Sequence, residues 1–241
     1  MRYCGVAVSP REAGQLLVTL HERRGLDDLE LVASFYEPGT VPDVVRTVQG
    51  FGRGEAVVAV DAPSGTPGRG CERALRERGL PIFSVPGGAP PPAWQAWLRA
   101  ATAVFEGFAP LGRYLPEDPE VAGSGAVGTH PLRHGRVFET YPDAIFCALL
   151  GHRPSPRRTP WGLQQRIAAL KLKGIVDEDG GLWHRTVDEL DACAAAYAAY
   201  AFTAGLGTWF GDPAEGVVVL PVGNVRDRYD ALPPPARVRL A

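Results

Sequence analysis

Short runs of apolar residues dominate the first forty positions of the chain. Residues 2–9, 14–23 and 29–37 each hold a run of strand length, and short segments of polar residues, Gly and Pro separate these runs. Apolar runs of this length between turn residues predict three β-strands. Because the connections are short, an antiparallel meander is the expected arrangement.

Helical spacing of apolar positions first appears in residues 41–51, and the uninterrupted apolar run at 55–60 follows it. An uninterrupted run is typical of a strand that is covered on both faces. A Thr186/Glu189 capping box marks the start of the last predicted helix. The pattern further predicts helices over 68–80, 93–108, 143–151, 160–174 and 186–207, and strands over 81–85, 136–142 and 215–221. This order predicts an α/β fold with a mixed sheet flanked by helices.

The length of 241 residues suits one large domain or two small ones. We expect residues 1–222 to form a single domain with an irregular insertion near 109–135. Connections of this length are usually functional or mobile. Residues 223–241, which end in a proline-rich stretch, are expected to form a C-terminal tail.

Charge and cysteine content narrow the class of protein. The net charge of −2 disfavours a nucleic-acid binder that is basic over its whole surface. The four cysteines are far apart, so we expect neither a zinc knot nor a disulfide framework. No apolar run has the form of a signal peptide or the length of a membrane span. We therefore expect a cytoplasmic protein without a membrane partner, and its oligomeric state stays open, a dimer included.

Acidic residues stand near the ends of two predicted strands and in one predicted helix. Asp61 follows the run 55–60, Glu139 lies in 136–142, and Asp188 and Asp191 share one face of a helix. Ligands of open α/β sheets gather at the carboxyl ends of the strands. Clustered carboxylates need a cation, and oxygen ligands favour Mg²⁺ or Mn²⁺. Two such ions can clamp the attacking and leaving oxygens of a phosphodiester.

Each of these acids also has a purely structural interpretation. Asp61 can shape the turn that follows it, Glu139 can be a surface strand end, and Asp188 can stabilise the helix dipole. Asp191 lies deeper in its helix and is less easily explained by capping. The small residues after Asp191 let the helix approach the sheet closely, which favours Asp191 over Asp188 as a functional residue.

Positive charge is concentrated between residues 121 and 176, where Glu139 is one of only two acids. Arg157, Arg158 and Arg166 are the candidates for phosphate contacts in this span, and Trp161 is a candidate for stacking on a base. A solvated basic face and a core tryptophan are the alternatives. The span also contains Arg133, Arg136, Arg153, Lys171, Lys173, His130, His134 and His152.

Five segments together resemble a known family. VAVDAPSGTPGRGCERALRERG resembles the I-D-x-P-x-G … R-x-C-(E/D)-x-x-x-R segment of the domain of unknown function 429 family. VFETYPDAIFCALLG resembles its E-x-(Y/H)-P segment and RRTPWGLQQRIAAL its K-x-T-x-x-G-x-x-x-R segment. DELDACAAAYAA and EGVVVLP resemble its D-x-x-D-A helix and closing strand. No single motif is specific, but the ordered set, from about residue 3 to 222, is.

The resemblance implies a predicted nuclease with a ribonuclease H-like fold and an acid layout similar to that of RuvC-type resolvases. By this likeness Asp61, Asp188 and Asp191 are metal ligands, and Glu139 is a family-motif acid that acts as a ligand or general base. One position departs from the pattern. The first strand of the fold usually carries a central Asp that bridges the metals, and here the segment CGVAVSP has Ala7 in that place.

These observations lead to three functional hypotheses. The first is a nuclease that needs Mg²⁺ or Mn²⁺ and acts on DNA or RNA. The second is a nucleic-acid-binding protein on the same fold, which Ala7 has made catalytically impaired. The third is a small-molecule enzyme, because sugar kinases and related ATPases share the fold. The lack of a glycine-rich phosphate loop after the first strand argues against the third.

Overall fold

The first three strands form the predicted antiparallel meander. β1 (Arg2–Ala7), β2 (Leu16–Arg24) and β3 (Leu29–Phe35) pair antiparallel in that order. The computed structural model of the protein describes residues 1–25, 29–52, 54–65, 68–83, 91–112, 127–128, 136–212 and 214–231.

Further strands extend the meander on both sides into one mixed sheet. In the described ranges they are β4 (Ala56–Asp61), β5 (Val127–Gly128), β6 (Val137–Thr140), β7 (Ile175–Asp177), β8 (Thr208–Asp212) and β9 (Gly216–Leu220). The order of the nine strands is β5-β8-β9-β6-β4-β1-β2-β3-β7. β1, β4, β6 and β9 run parallel to one another in the middle of the sheet, so their carboxyl ends lie at one edge.

Helices cover both faces of this sheet. They are α1 (Val41–Gln49), α2 (Gly70–Glu77), α3 (Pro92–Gly107), α4 (Pro142–Leu150), α5 (Pro160–Lys171) and α6 (Val187–Thr203). α1 and α3 pack on one face, in a core with Val58 and Val60 of β4. α4, α5 and α6 pack on the other, in a core with Val57 and Ala59. The capping box predicted for Thr186 and Glu189 is confirmed at the start of α6.

The main chain of α6 lies directly against β1 at Gly5. A Cβ atom on Gly5 would stand 1.9 Å from the carbonyl oxygen of Ala192 and 2.3 Å from the amide nitrogen of Ala196. The buried alanines on this side of α6 allow the same close approach. Tyr3 contacts Tyr200 near the other end of the helix, so α6 runs antiparallel to β1. The amino-terminal turns of α6 therefore lie over the carboxyl end of β1.

Several segments differ from the sequence prediction. Residues 81–83 of the predicted strand 81–85 have no regular structure, and the rest of that segment lies outside the described residues. The insertion near 109–135 begins with a 3₁₀ turn and contributes β5 to the sheet edge; 113–126 and 129–135 lie outside the description. β7, which directly follows the predicted helix 160–174, and β8, whose apolar pattern is interrupted by Gly211 and Asp212, were not predicted.

The chain stays in contact with the sheet domain beyond residue 222. Tyr229 is buried, and its amide donates a hydrogen bond to the carbonyl of Arg78. The carbonyl of Asp230 accepts one from the amide of Arg153. Part of the predicted tail is thus packed on α2 and the end of α4. Across the described residues, no helix is long and apolar enough to cross a membrane.

Candidate functional site

β4 carries Asp61 to the carboxyl edge of the sheet. The rest of the strand is buried on both faces, and Asp61 at its end keeps part of its surface exposed. In the register of the parallel strands Asp61 is aligned with Ala7 of β1 and with Thr140 of β6. Residues aligned in this way point to the same face of a sheet. The place next to Asp61 on β1 therefore holds a buried methyl group.

α6 brings Asp191 to the same face. Asp191 is 2% exposed, and its Oδ1 accepts no hydrogen bond from any residue that the structure describes. Burial raises the pKa of Asp191 to about 7. The pKa of Asp61 is raised well above its usual range, by burial and then by the charge of Asp191. Asp61 and Asp191 therefore lie close enough for the charge of Asp191 to raise the pKa of Asp61.

Arg157 lies between the two acids of α6. Its Nη2 donates to Oδ1 of Asp188 at 2.6 Å, and its Nη1 lies 2.9 Å from Oδ2 of Asp191. The same guanidinium lowers the pKa of Asp61 and Asp191, against the larger effect of burial. Arg157 was predicted to bind a phosphate, and its contacts in this structure are with the predicted metal ligands.

A fourth acid, Asp143, belongs to this group. Asp143 lies in the first turn of α4, and its charge raises the pKa of both Asp61 and Asp191. Its Oδ1 accepts a hydrogen bond of 2.6 Å from Nη2 of Arg166. The Arg166 side chain is 2% exposed and donates to the carbonyls of Ser155 and of the first turn of α5. Arg166 therefore positions an acid and the preceding loop rather than facing solvent.

Glu139 lies in a different environment from Asp61. It is aligned with Val60, so it points to the opposite face of the sheet. Its carboxylate accepts hydrogen bonds of 2.8 Å from the amide of Ser64 and from Nη1 of Arg69. Arg69 also donates to Glu72, and all three charged side chains are almost completely buried.

This buried trio, Glu139, Arg69 and Glu72, closes the turn that follows Asp61. Burial disfavours the charge of Arg69, but the hydrogen bonds and the charge of Glu139 outweigh that effect, so the pKa of Arg69 is raised. The amide of Gly68 donates to Glu72, so both glutamates hold main chain of the turn. Arg69 and Glu72 were not predicted as site residues. The sequence feature that could have indicated both residues is the R-x-C-(E/D) segment of the family resemblance, in which they are the first and last positions.

The basic span of the sequence does not form one common face. Arg136 donates to the carbonyl of Gly54, and Arg153 donates to that of Gly79, away from the acids. Arg158 is exposed, and Trp161 is 56% exposed at the start of α5. Trp161 is therefore not a core residue. His130, Arg133 and His134 lie outside the described residues.

The acids of this face have the donor chemistry of a divalent-cation site. As they stand, no three His, Cys, Asp or Glu side chains within the described ranges form a group that could hold a metal ion. Asp191 nevertheless offers a buried oxygen without a hydrogen-bond donor, next to the charge of Asp61. Carboxylate oxygens are ligands that Mg²⁺ and Mn²⁺ prefer, so the chemistry of these side chains, but not their present spacing, suits such an ion.

Comparison with known proteins gives one family. The chain matches the family described as "Protein of unknown function (DUF429)" over residues 6–215. The search of curated proteins and the search of solved structures each found no match. The matched range contains Asp61, Asp188 and Asp191, so the acidic site lies inside the family region.

Proposed function

The chain belongs to the DUF429 family, and we propose that it is a metal-dependent nuclease, a hydrolase of phosphodiester bonds in DNA or RNA. The carrying observation is the unpartnered, buried carboxylate oxygen of Asp191 beside the charge of Asp61. Two acids in this arrangement repel each other and lack the solvent that would stabilise them. Arg157 supplies one positive charge to this group, and a divalent cation would supply the further counter-charge that Oδ1 of Asp191 lacks.

Asp61, Asp188 and Asp191 would hold the cation, which is Mg²⁺ or Mn²⁺ on this proposal. When bound, such an ion supplies a Lewis acid for a phosphoryl oxygen and lowers the pKa of a coordinated water. Asp143 lies close enough to add its negative charge to the site, and Arg166 keeps it in place. The ligand oxygens therefore come from β4 and α6, and a nearby negative charge comes from α4; residues of one core fix all three elements.

A ribonuclease H-like fold is part of this proposal. Two features support this fold. The strands β1 to β3 form an antiparallel meander, and parallel strands extend the sheet from β1. The helix α6, which carries Asp188 and Asp191, packs on this sheet. Glu139 has its carboxylate engaged by Arg69 and Ser64. We assign it the role of a positioning residue for the turn after Asp61, in place of a general base.

The decisive test is cleavage of labelled duplex, branched, hybrid and single-stranded nucleic acids with Mg²⁺ or Mn²⁺. We expect the wild-type protein to cut at least one of them. Asp61→Asn should lower the rate by at least about 100-fold, because it removes a charge that balances the cation. Asp227→Asn, at an exposed site in 214–231, should keep the wild-type rate. Intact substrates under all these conditions would reject the nuclease proposal.

Ala7 favours a second candidate, a nucleic-acid-binding protein that does not cut. The β1 position aligned with Asp61 has no carboxylate, so one acid of the usual layout is missing. This candidate predicts binding that weakens with salt, without cleavage by either metal. The absence of binding at low salt would reject it.

Trp161 provides a test of the nucleic-acid partner that is independent of cleavage. Its exposed ring lies four positions after Arg157 and can stack on an unpaired base. We expect Trp161→Ala to weaken binding of a single-stranded oligonucleotide by roughly 5- to 150-fold, measured by fluorescence anisotropy. The matched control is Trp183→Ala, an exposed tryptophan beside Lys171 at the other end of α5. Equal affinities of the two variants would contradict this role.

A further inference from the structure

Arg157 stands where a cation between Asp188 and Asp191 would stand. Its two terminal nitrogens lie 2.6 Å and 2.9 Å from one oxygen of each acid. The contact with Asp188 is a charge-assisted hydrogen bond, which is stronger than one between neutral groups, and the contact with Asp191 is an ion pair. The ion pair between Arg157 and Asp191 lies on the buried side of the guanidinium, since the side chain of Asp191 is 2% exposed and that of Asp188 is 59% exposed.

The two arginines near the acids differ in their freedom to move. Arg166 is buried, and carbonyl oxygens as well as Asp143 hold its guanidinium. Arg157 belongs to the connection between α4 and α5, and its side chain is 37% exposed. Rotation of the Arg157 side chain toward solvent requires no rearrangement of the core. Arg157 is therefore the arginine whose guanidinium can move away from the acids.

Movement of the Arg157 side chain away from Asp188 and Asp191 would free the carboxylate oxygens that a metal ion needs. The described charged groups facing this point are the acids Asp61, Asp143, Asp188 and Asp191 and the arginines Arg157 and Arg166. Without Arg157, Asp188 would lose a charged hydrogen bond and Asp191 an ion pair, next to the unpartnered Oδ1 of Asp191. A divalent ion replaces one positive charge by two and satisfies the same oxygens.

We propose that Arg157 is an internal counter-ion that a divalent metal displaces, and that the released guanidinium then binds a phosphate of the nucleic acid. The proposal rests on the metal site of the proposed function and adds its regulation. Exposed Arg158 is the adjacent residue, so a released Arg157 would join a second cation at the surface. Metal and nucleic acid then favour each other's binding, because each stabilises the state with Arg157 released.

The test is titration with Mn²⁺ of the full chain, followed by calorimetry and by the electron paramagnetic resonance signal of free Mn²⁺. We expect Arg157→Ala to bind Mn²⁺ about 10- to 100-fold more tightly than the wild type, since the competing hydrogen bond with Asp188 and ion pair with Asp191 are gone. Arg157→Gln, which keeps most of the side-chain length, should also bind more tightly. Arg73→Ala, at an exposed position of α2, should bind as the wild type does. Adding Asp191→Asn to Arg157→Ala should abolish the gain.

The second arm measures coupling. A non-hydrolysable oligonucleotide should raise the Mn²⁺ affinity of the wild type, and Arg157→Ala should remove that increase. Equal or weaker Mn²⁺ binding by both Arg157 variants overturns the inference, even if the wild type cuts nucleic acid. Tighter binding together with loss of coupling supports it, even if no substrate is cut. Its failure and that of the proposed nuclease activity are thereby distinguishable.

Discussion

Arg69→Met is expected to lower the free energy of unfolding by about 3–5 kcal/mol, because it removes the buried arginine that pairs with two buried carboxylates. Glu72 and Glu139 both have side chains with 0% exposure, and Arg69 bridges them. Methionine keeps much of the volume but none of the charge. Urea denaturation followed by circular dichroism at pH 7 measures the change.

Two further variants make the Arg69 result specific. Arg73→Met, on the exposed side of the same helix, should change stability by no more than about 0.5 kcal/mol. Combining Arg69→Met with Glu72→Gln and Glu139→Gln should recover part of the loss, since no uncompensated charge is left. A loss below about 1 kcal/mol for Arg69→Met alone would show that the trio is not a closed, buried network.

Gly5→Ala is expected to destabilise the protein by about 3 kcal/mol, at the upper end of overpacking effects. The added Cβ would meet main-chain atoms of α6 at 1.9 Å and 2.3 Å, and main chain cannot rotate away as a side chain can. α6 must move off the sheet, which carries Asp191 away from Asp61. Thermal unfolding and Mn²⁺ binding measure the two consequences.

Gly223→Ala is the matched control for Gly5→Ala. A Cβ at that position would have its nearest contact, the carbonyl oxygen of Leu206, at 3.9 Å, an ordinary van der Waals distance. We expect its stability to stay within about 0.5 kcal/mol of the wild type. Similar melting temperatures for the two alanine variants would mean that α6 does not rest on β1 as described.

The sequence was sufficient for the elements that carry the acids. The apolar run before Asp61 and the capping box before Asp191 predict β4 and α6, and both are present. β7 escaped prediction because it directly follows the predicted helix 160–174, and β8 because Gly211 and Asp212 interrupt its apolar pattern. Gly5 was part of a correctly predicted strand, but its contact with α6 depends on tertiary packing.

The side chains of the site were harder to predict than its elements. Glu139 and Asp61 both lie near strand ends, but only the register of β4 against β6 reveals that they point to opposite faces. Residue spacing within a single strand does not define that register. Arg157 finds its partners on a helix more than thirty positions later, so its sequence surroundings indicated only a positive charge.

The direct contact between β1 and α6 has a consequence for how the site can change. No side chain separates the two main chains at Gly5, so the height of the helix above the sheet is set by backbone atoms alone. Substitutions elsewhere in the core can alter the stability of the protein without changing the distance between Asp61 and Asp191. On the proposed function, a change of ion or substrate would therefore proceed through the partly exposed side chain of Arg157, while the frame that carries the acids stays constant.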